Sequence, residues 1–137
     1  SQIEESIDRQ GLTGRVRLLG HRDDVADLVA AADVLASAST REGAAGAVIE
    51  AFAIGTPVVS TALAGLAGIV AHEQNALTVP VSRPSELADA IQQLLDDSVL
   101  AEQLAAQARC DFETRFTIER VAAAMADLYE DVAAEPQ

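Results

Sequence analysis

The chain has 137 residues, half of them hydrophobic, a size that fits one domain, residues 1–137, with a substantial core. Its formal charge is −13 and its nine basic residues are all Arg, so it should repel nucleic acid and anionic membrane surfaces. A single Cys excludes an internal disulfide framework and favours a cytoplasmic setting, and no apolar run reaches the roughly 20 residues that span a bilayer.

The amino-terminal half alternates predicted helices with short predicted strands. Gly20 should end the first strand, and Asp23 or Asp24 can cap the helix that follows. Gly55 stands where a helix C-cap glycine belongs, and Pro57 prevents that helix from continuing. In chain order, we expect a helix over 1–10, a strand over 16–19, a helix from 25 to about 32, a strand centred on Val34 and Leu35, a helix from about 45 to 54 and a strand over 57–61.

The carboxyl-terminal half is mainly helical. Before its helices come a small-residue loop at 62–68, which can hold one helical turn, and a strand within 76–80. Pro84 suits the first turn of a helix that ends at Asp96, and Cys110 should simply pack in the next helix. The last helix carries an apolar stripe, which consists of Ile118, Val121, Ala122, Met125, Leu128, Tyr129 and Val132.

The predicted strands are apolar on both faces and alternate with helices. This pattern predicts an α/β fold, with a Rossmann-like parallel sheet that is covered by helices on both faces. Ligands of such sheets bind beyond the carboxyl ends of the strands. The loop that carries Glu42 follows the strand at Val34 and Leu35, so it should lie at that edge.

Glu42 and Glu50 flank the start of the helix expected from about residue 45. Between them, residues 43–47 have almost no side chain, so a ligand could approach the backbone closely. Free amides at a helix start attract anions, and carboxylates accept hydrogen bonds from hydroxyls, a combination that suits a nucleotide-sugar. Two glutamates at this spacing can also be coincidence in a chain with 22 acidic residues.

The longer string "ADVLASAST-REG-AAGAVIE-AFAIGTPVVST" resembles the C-terminal, donor-binding domain of the retaining GT-B glycosyltransferases of family 4, the glycosyl transferases group 1. The residues in the places of that family's motif are Ser39, Glu42, Gly43, Glu50, Ala51, Ala53, Gly55, Pro57, Val58 and Val59. The resemblance continues through "VRLLGHRDDVADLVAAADV", "NALTVPVSRPSELADAIQQLLDD" and "RFTIERVAAAMADLYEDV", so it covers essentially the whole chain.

The resemblance implies a role for each matching residue. Glu42, the candidate catalytic residue, would contact hydroxyls of the donor sugar, and Glu50 would hold the ribose hydroxyls. The expected donor-binding backbone consists of Gly43, Ala44 and Ala45 near the sugar, and Gly46 and Ala47 at the diphosphate. The segment Gly20, His21 and Arg22 would lie near the base, although ordinary surface residues are an equal alternative there. The resemblance implies no metal and no cofactor.

Several positions depart from the family pattern. Ala38 stands in place of a usual Pro, residues 44–45 in place of a frequent Phe-Gly, and residues 64–65 in place of a frequent Gly-Gly. Gly68 stands where a Glu is frequent, and Ala76 replaces a Gly. These departures affect the donor-sugar pocket more than the fold.

The family's donor domain begins with two further strands, which carry an Arg and a Lys for the leaving diphosphate, and an acceptor-binding domain precedes it. The resemblance therefore implies an incomplete half of a GT-B fold, a segment of a glycosyltransferase that is inactive alone. In the strand order 3-2-1-4-5-6, strands 1 and 2 would be missing, so bare strand edges should favour homo-oligomers. The alternative is a non-catalytic Rossmann-like binding or assembly module.

Overall fold

A three-stranded parallel sheet lies at the centre of the computed structural model, which describes residues 2–41 and 45–134. Its strands are β1 (Leu35–Ser37), β2 (Val58–Thr61) and β3 (Leu77–Val79), in the order β1-β2-β3. Leu35 pairs with Val58, and Val59 pairs with Leu77. All four residues of β2 are buried, as expected of a central strand that is covered on both faces.

Helices follow the strands as the alternating pattern predicts. The helices are α1 (Gln2–Arg9), α2 (Val25–Ala30), α3 (Gly46–Ile54), α4 (Pro84–Asp96), α5 (Ser98–Asp111) and α6 (Ile118–Ala134), with a 3-10 turn at Ala64–Leu66 and a π turn at Phe112–Phe116. Pro84 opens α4, where its missing N–H costs nothing. Gly55 ends α3 in the left-handed conformation, with φ of 88°, as predicted for a C-cap glycine.

Two hydrophobic clusters cover the two faces of the sheet. Val58 belongs to the cluster that includes Phe52 of α3, and Val59 belongs to the cluster that includes Leu94 of α4. Successive side chains of a strand point to opposite faces, so α3 and α4 lie on opposite sides of β2. Helix α5 adds Leu104 to one cluster and Ala108 to the other. Helices therefore cover both faces of the sheet, as predicted.

The strand predicted at 16–19 is wrong. Val16 forms only an isolated bridge with Thr13, and the side chains of Val16, Leu18 and Leu19 are 42%, 50% and 51% exposed. A strand needs a neighbour to receive its ladder hydrogen bonds. None of the three strands in the described ranges lies beside this segment, so its apolar residues stay in solvent.

The apolar stripe of α6 forms as predicted, but none of its residues is buried in the described chain. Its exposed members are Ile118 (76%), Val121 (41%), Met125 (48%), Leu128 (60%), Tyr129 (65%) and Val132 (61%). Cys110, expected to pack in α5, is also exposed, so that expectation is wrong. Across residues 2–41 and 45–134, no helix combines the length and the apolar character that crossing a membrane requires.

Candidate functional site

The carboxyl ends of β1 and β2 meet at one edge of the sheet, where the candidate site lies. The hydroxyl of Thr61, the last residue of β2, donates a hydrogen bond of 2.6 Å to the carbonyl oxygen of Ser39, two residues beyond β1. Ser39 leads into the loop that ends at α3, so the start of this helix belongs to the same edge. This is the edge where parallel sheets bind ligands.

The first turn of α3 begins with two exposed small residues, Gly46 and Ala47. Ala45 occupies the N-cap position, 3% exposed, and makes no side-chain cap. The first helical bond runs from the amide of Ile49 to the carbonyl oxygen of Ala45, so the amides of Gly46 and Ala47 have no partner within the helix. Among the described residues, a Cβ on Gly46 would meet no heavy atom within 4 Å.

Glu50 lies one turn into α3 on its solvent side. Val48, Ala51 and Phe52 form the buried side of the helix, whereas Glu50 is exposed. A helical period of 3.6 residues groups Ala53 with Phe52, but Ala53 is only half-buried and Ala51 is fully buried. Both α2 and α5 pack against α3, so the buried side is rotated toward Ala51. Glu50 makes no hydrogen bond or ion pair with another residue of the described ranges.

The other half of the predicted pair is not placed by the structure. Glu42, Gly43 and Ala44 lie outside the described residues. The structure therefore brings Ala45, Gly46, Ala47 and Glu50 together at the start of α3. Their relation to Glu42 remains a prediction from the sequence.

The segment Gly20, His21 and Arg22 is exposed and precedes α2. The guanidinium of Arg22 donates two hydrogen bonds to the carboxylate of Asp24, and this pairing lowers the pKa of Asp24 and raises that of Arg22. Asp24 is the N-cap residue of α2 but makes no cap, because its carboxylate is held by Arg22. In the described ranges, no hydrogen bond or ion pair joins this segment to the first turn of α3.

A cavity of about 260 Å³ opens beside the end of β2, and its walls were not predicted. The lining residues are Thr61, Ala62, Leu63, Leu66, Ala67, Val70, His72 and Thr78. The imidazole Nδ1 of His72 accepts a hydrogen bond of 2.9 Å from the amide of Thr78. The 3-10 turn at Ala64–Leu66 forms one wall, as the small residues of 62–68 allow. Only the strand-end position of Thr61 could have indicated this cavity.

Asn75 anchors the segment behind the cavity, and sequence reasoning missed it. Its side chain is buried, with 2% exposure, and donates to the carbonyl oxygen of Ile69 and to the carboxylate of Asp111 at 3.0 and 2.7 Å. Its side-chain oxygen accepts the amide of Ala71 at 2.8 Å. Arg115 adds a hydrogen bond to the carbonyl oxygen of Gly68. The turn between α5 and α6 thus fixes the segment that follows β2.

Residues 1–97 match the family described as glycosyl transferases group 1. The chain belongs to this family. The lipopolysaccharide core biosynthesis glycosyltransferase LpsD of Rhizobium meliloti (strain 1021) is 30% identical to it over 129 residues, which cover 94% of this chain and 38% of LpsD. A D-inositol 3-phosphate glycosyltransferase of Corynebacterium urealyticum is 33% identical over 137 residues, which cover 98% of this chain and 32% of that protein.

Solved structures of GT-B glycosyltransferases share the fold. HepE of Anabaena, solved in complex with UDP, superposes with a TM-score of 0.90 at 29% identity, over 95% of this chain and 36% of HepE. HepE has also been solved with UDP-glucose. The fold class predicted from the sequence, a Rossmann-like part of a GT-B fold, is therefore confirmed. This group 1 chain spans about a third of the length of these relatives.

Proposed function

We propose that this chain is the partial C-terminal domain of a retaining glycosyltransferase and binds a nucleoside-diphosphate sugar. The observation that carries the proposal is the start of α3, where the exposed residues Gly46 and Ala47, whose amides have no partner within the helix, precede Glu50 by one turn. Free amides and the positive end of the helix dipole favour a diphosphate, and a carboxylate favours hydroxyl groups. The family of the chain supports this use of the site.

Each residue at the site has an assigned role. The amides of Gly46 and Ala47 bind diphosphate oxygens, and Glu50 accepts hydrogen bonds from the two ribose hydroxyls. Glu42, with the backbone of Gly43, Ala44 and Ala45, contacts the donor sugar, as the family resemblance implies. HepE, a relative of similar fold, binds UDP and UDP-glucose, which supports a uridine nucleotide as the first donor to test.

The segment Gly20, His21 and Arg22 is proposed to lie near the base. The imidazole of His21 and the carboxylate of Asp23 are 3.7 Å apart, and both side chains are almost fully exposed. These groups can therefore reorient toward a ligand at little cost. Arg22 is less free, because Asp24 holds its guanidinium. His21 is accordingly the first residue of this segment to test for base contact.

The transfer step needs more than this chain supplies. The departing nucleoside diphosphate gains negative charge, and preorganised donors must stabilise that charge. The amides at the start of α3 supply part of this stabilisation, but a formal charge of −13 opposes it. A basic contribution and an acceptor-binding surface must come from elsewhere in a larger protein. The exposed stripe of α6 offers an apolar surface on which an N-terminal acceptor domain can rest.

A second candidate function is a non-catalytic binding or assembly module. Two observations support it. The chain has no Lys, and the side chains of Arg22, Arg109 and Arg115 already donate hydrogen bonds to carboxylates or carbonyl oxygens of the chain itself. Such a module would keep the fold and lose donor affinity. The two candidates differ in their response to nucleotide.

Backbone amide spectra during nucleotide titration test the proposal. UDP, UDP-glucose, GDP and ADP are added in turn to the isotopically labelled chain. A nucleoside-diphosphate site at α3 predicts saturable shifts at the amides of Gly46 and Ala47, with smaller shifts in α4. If none of the four nucleotides shifts these amide signals, the non-catalytic binding or assembly module is favoured.

A further inference from the structure

Two buried threonines lie at opposite ends of β2 and make matching hydrogen bonds. Thr56 precedes the strand and donates from its hydroxyl to the carbonyl oxygen of Val29, at 2.8 Å. Thr61 ends the strand and donates to the carbonyl oxygen of Ser39, at 2.6 Å. Each residue is 4% exposed. The two differ mainly in what they hold, since Thr56 holds the end of α2 and Thr61 holds the exit from β1.

Thr61 acts on the segment that leads to α3. That segment leaves β1 at Ser37, and its other end, Ala45, is fixed in the core at 3% exposure. With the Thr61 bond, the chain is also held at Ser39, two residues beyond the end of β1. Thr61 also lines the cavity beside β2, so the same side chain borders this cavity and contacts the segment that leaves β1.

We propose that Thr61 is a positioning residue for the donor site, because its hydroxyl fixes the segment that brings the first turn of α3 to the ligand. This inference rests on the proposed function, and it adds a residue that the motif of two glutamates does not contain. In this proposal, Thr61 does not itself contact the nucleoside-diphosphate sugar. It acts through Ser39 and through the orientation of the amides at Gly46 and Ala47.

Three variants separate positioning from simple stability. Thr61→Val keeps the shape of the side chain and removes the donor, whereas Thr61→Ser keeps the donor. Thr56→Val removes an equally buried donor at the other end of β2, so it is the matched control for lost stability. Each variant is measured for thermal stability, for backbone amide order parameters by NMR and for UDP affinity by calorimetry.

The expected pattern has three parts. Thr61→Val lowers the order parameters of Ser39, Thr40 and Gly46 from about 0.85 toward about 0.6. It also weakens UDP binding by about three- to tenfold, the effect of one lost hydrogen bond. Thr61→Ser matches the wild type in both measurements. Thr56→Val lowers the melting temperature as Thr61→Val does, but leaves the order parameters and the UDP affinity unchanged.

The proposal is overturned when Thr61→Val and Thr56→Val change the order parameters alike, or when Thr61→Ser behaves as Thr61→Val does. Should the wild-type chain bind none of UDP, UDP-glucose, GDP and ADP, the proposed function fails, while the order parameters still decide whether Thr61 fixes the segment at Ser39. Should Thr61→Val not fold, the exchange rate of the Thr61 hydroxyl proton is measured in the wild-type chain instead. A slowly exchanging Thr61 hydroxyl proton close to Ser39 supports the proposal, and a rapidly exchanging one contradicts it.

Discussion

Small residues and one carboxylate form the solvent side of α3 at its start, while large apolar residues form its buried side. Gly46 and Ala47 are exposed, and Glu50 is exposed one turn later. Phe52 and Ala51 are fully buried against the sheet and the neighbouring helices. The helix therefore presents hydrogen-bonding groups at its solvent-exposed start without weakening the core.

Gly46→Ala should separate binding from folding. The added Cβ meets no heavy atom of the described residues within 4 Å, and Ala favours helix more than Gly does, so the free energy of unfolding should stay equal or rise by up to about 1 kcal/mol. The same methyl group crowds a diphosphate at the amides, so nucleotide affinity should fall by about 1–3 kcal/mol. Denaturant unfolding and calorimetry measure the two effects. An affinity equal to that of the wild type would place the diphosphate elsewhere.

Asn75→Ala should destabilise the chain by about 2–3 kcal/mol, because the half-buried amide of Ala71 loses its acceptor and Ile69 and Asp111 lose a donor. Urea unfolding followed by circular dichroism measures the loss. Gln74→Ala is the matched control, since Gln74 is the exposed neighbour, and it should change stability by less than about 0.5 kcal/mol. Equal effects of the two substitutions would contradict the anchoring role of Asn75.

The exposure of Glu50 could be predicted from the sequence, but Asn75 could not. A helical period of 3.6 residues places Glu50 away from Val48 and Phe52, and this depends only on local geometry. The partner Asp111 lies 36 positions from Asn75 in the chain, so their pairing depends on how α5 packs. Thr61 was missed for the same reason, because its acceptor at Ser39 lies 22 positions away on another strand exit.

At the scale of the elements, strand formation likewise depends both on the local sequence and on partners that are distant in the chain. β2 forms as predicted because it has a neighbour on each side, β1 and β3. The segment 16–19 is also rich in apolar residues, but no strand of the described ranges pairs with it. A local pattern predicts a strand, whereas a ladder also requires a neighbour, and that requirement is not written in the segment itself.

Hydrogen exchange should distinguish these two apolar segments. The amides of Arg17, Leu18 and Leu19 should exchange within seconds at neutral pH, because no ladder protects them. The amides of Val59 and Ser60 in β2 should exchange only through global unfolding. Mass spectrometry of peptides that cover residues 15–20 and 58–61 gives the comparison. Slow exchange at residues 17–19 in the monomer would show that this segment has a strand partner.

At the scale of the whole molecule, the chain carries large apolar surfaces together with a strong negative charge. β1 lies at one edge of the sheet, where backbone groups can accept another strand, and the stripe of α6 is exposed. A formal charge of −13 opposes self-association, but salt screens it beyond about 8 Å at physiological ionic strength. These surfaces favour association with another chain or domain.

The 137-residue chain on its own should associate in solution and should not transfer sugar. Light scattering should show a mass that rises with concentration, and more so as salt is added. Ala36→Pro, which removes a donor from the exposed centre of β1, should reduce the association if the strand edge carries it. A compact monomer at all concentrations, with cooperative unfolding, would contradict the edge argument. Transfer activity in the chain alone would contradict the need for a basic contribution from elsewhere.

Calorimetric titration of UDP-glucose into the wild type, Glu50→Ala and Glu102→Ala tests the proposed donor site most directly. Glu102 is the matched control because it is an exposed glutamate on α5, outside the candidate site. Glu50→Ala should weaken binding by about 1.5–3 kcal/mol, the range for hydrogen bonds to a charged group, while Glu102→Ala leaves it unchanged. Equal affinity in Glu50→Ala and the wild type would remove Glu50 from the site and would contradict a donor site at the start of α3.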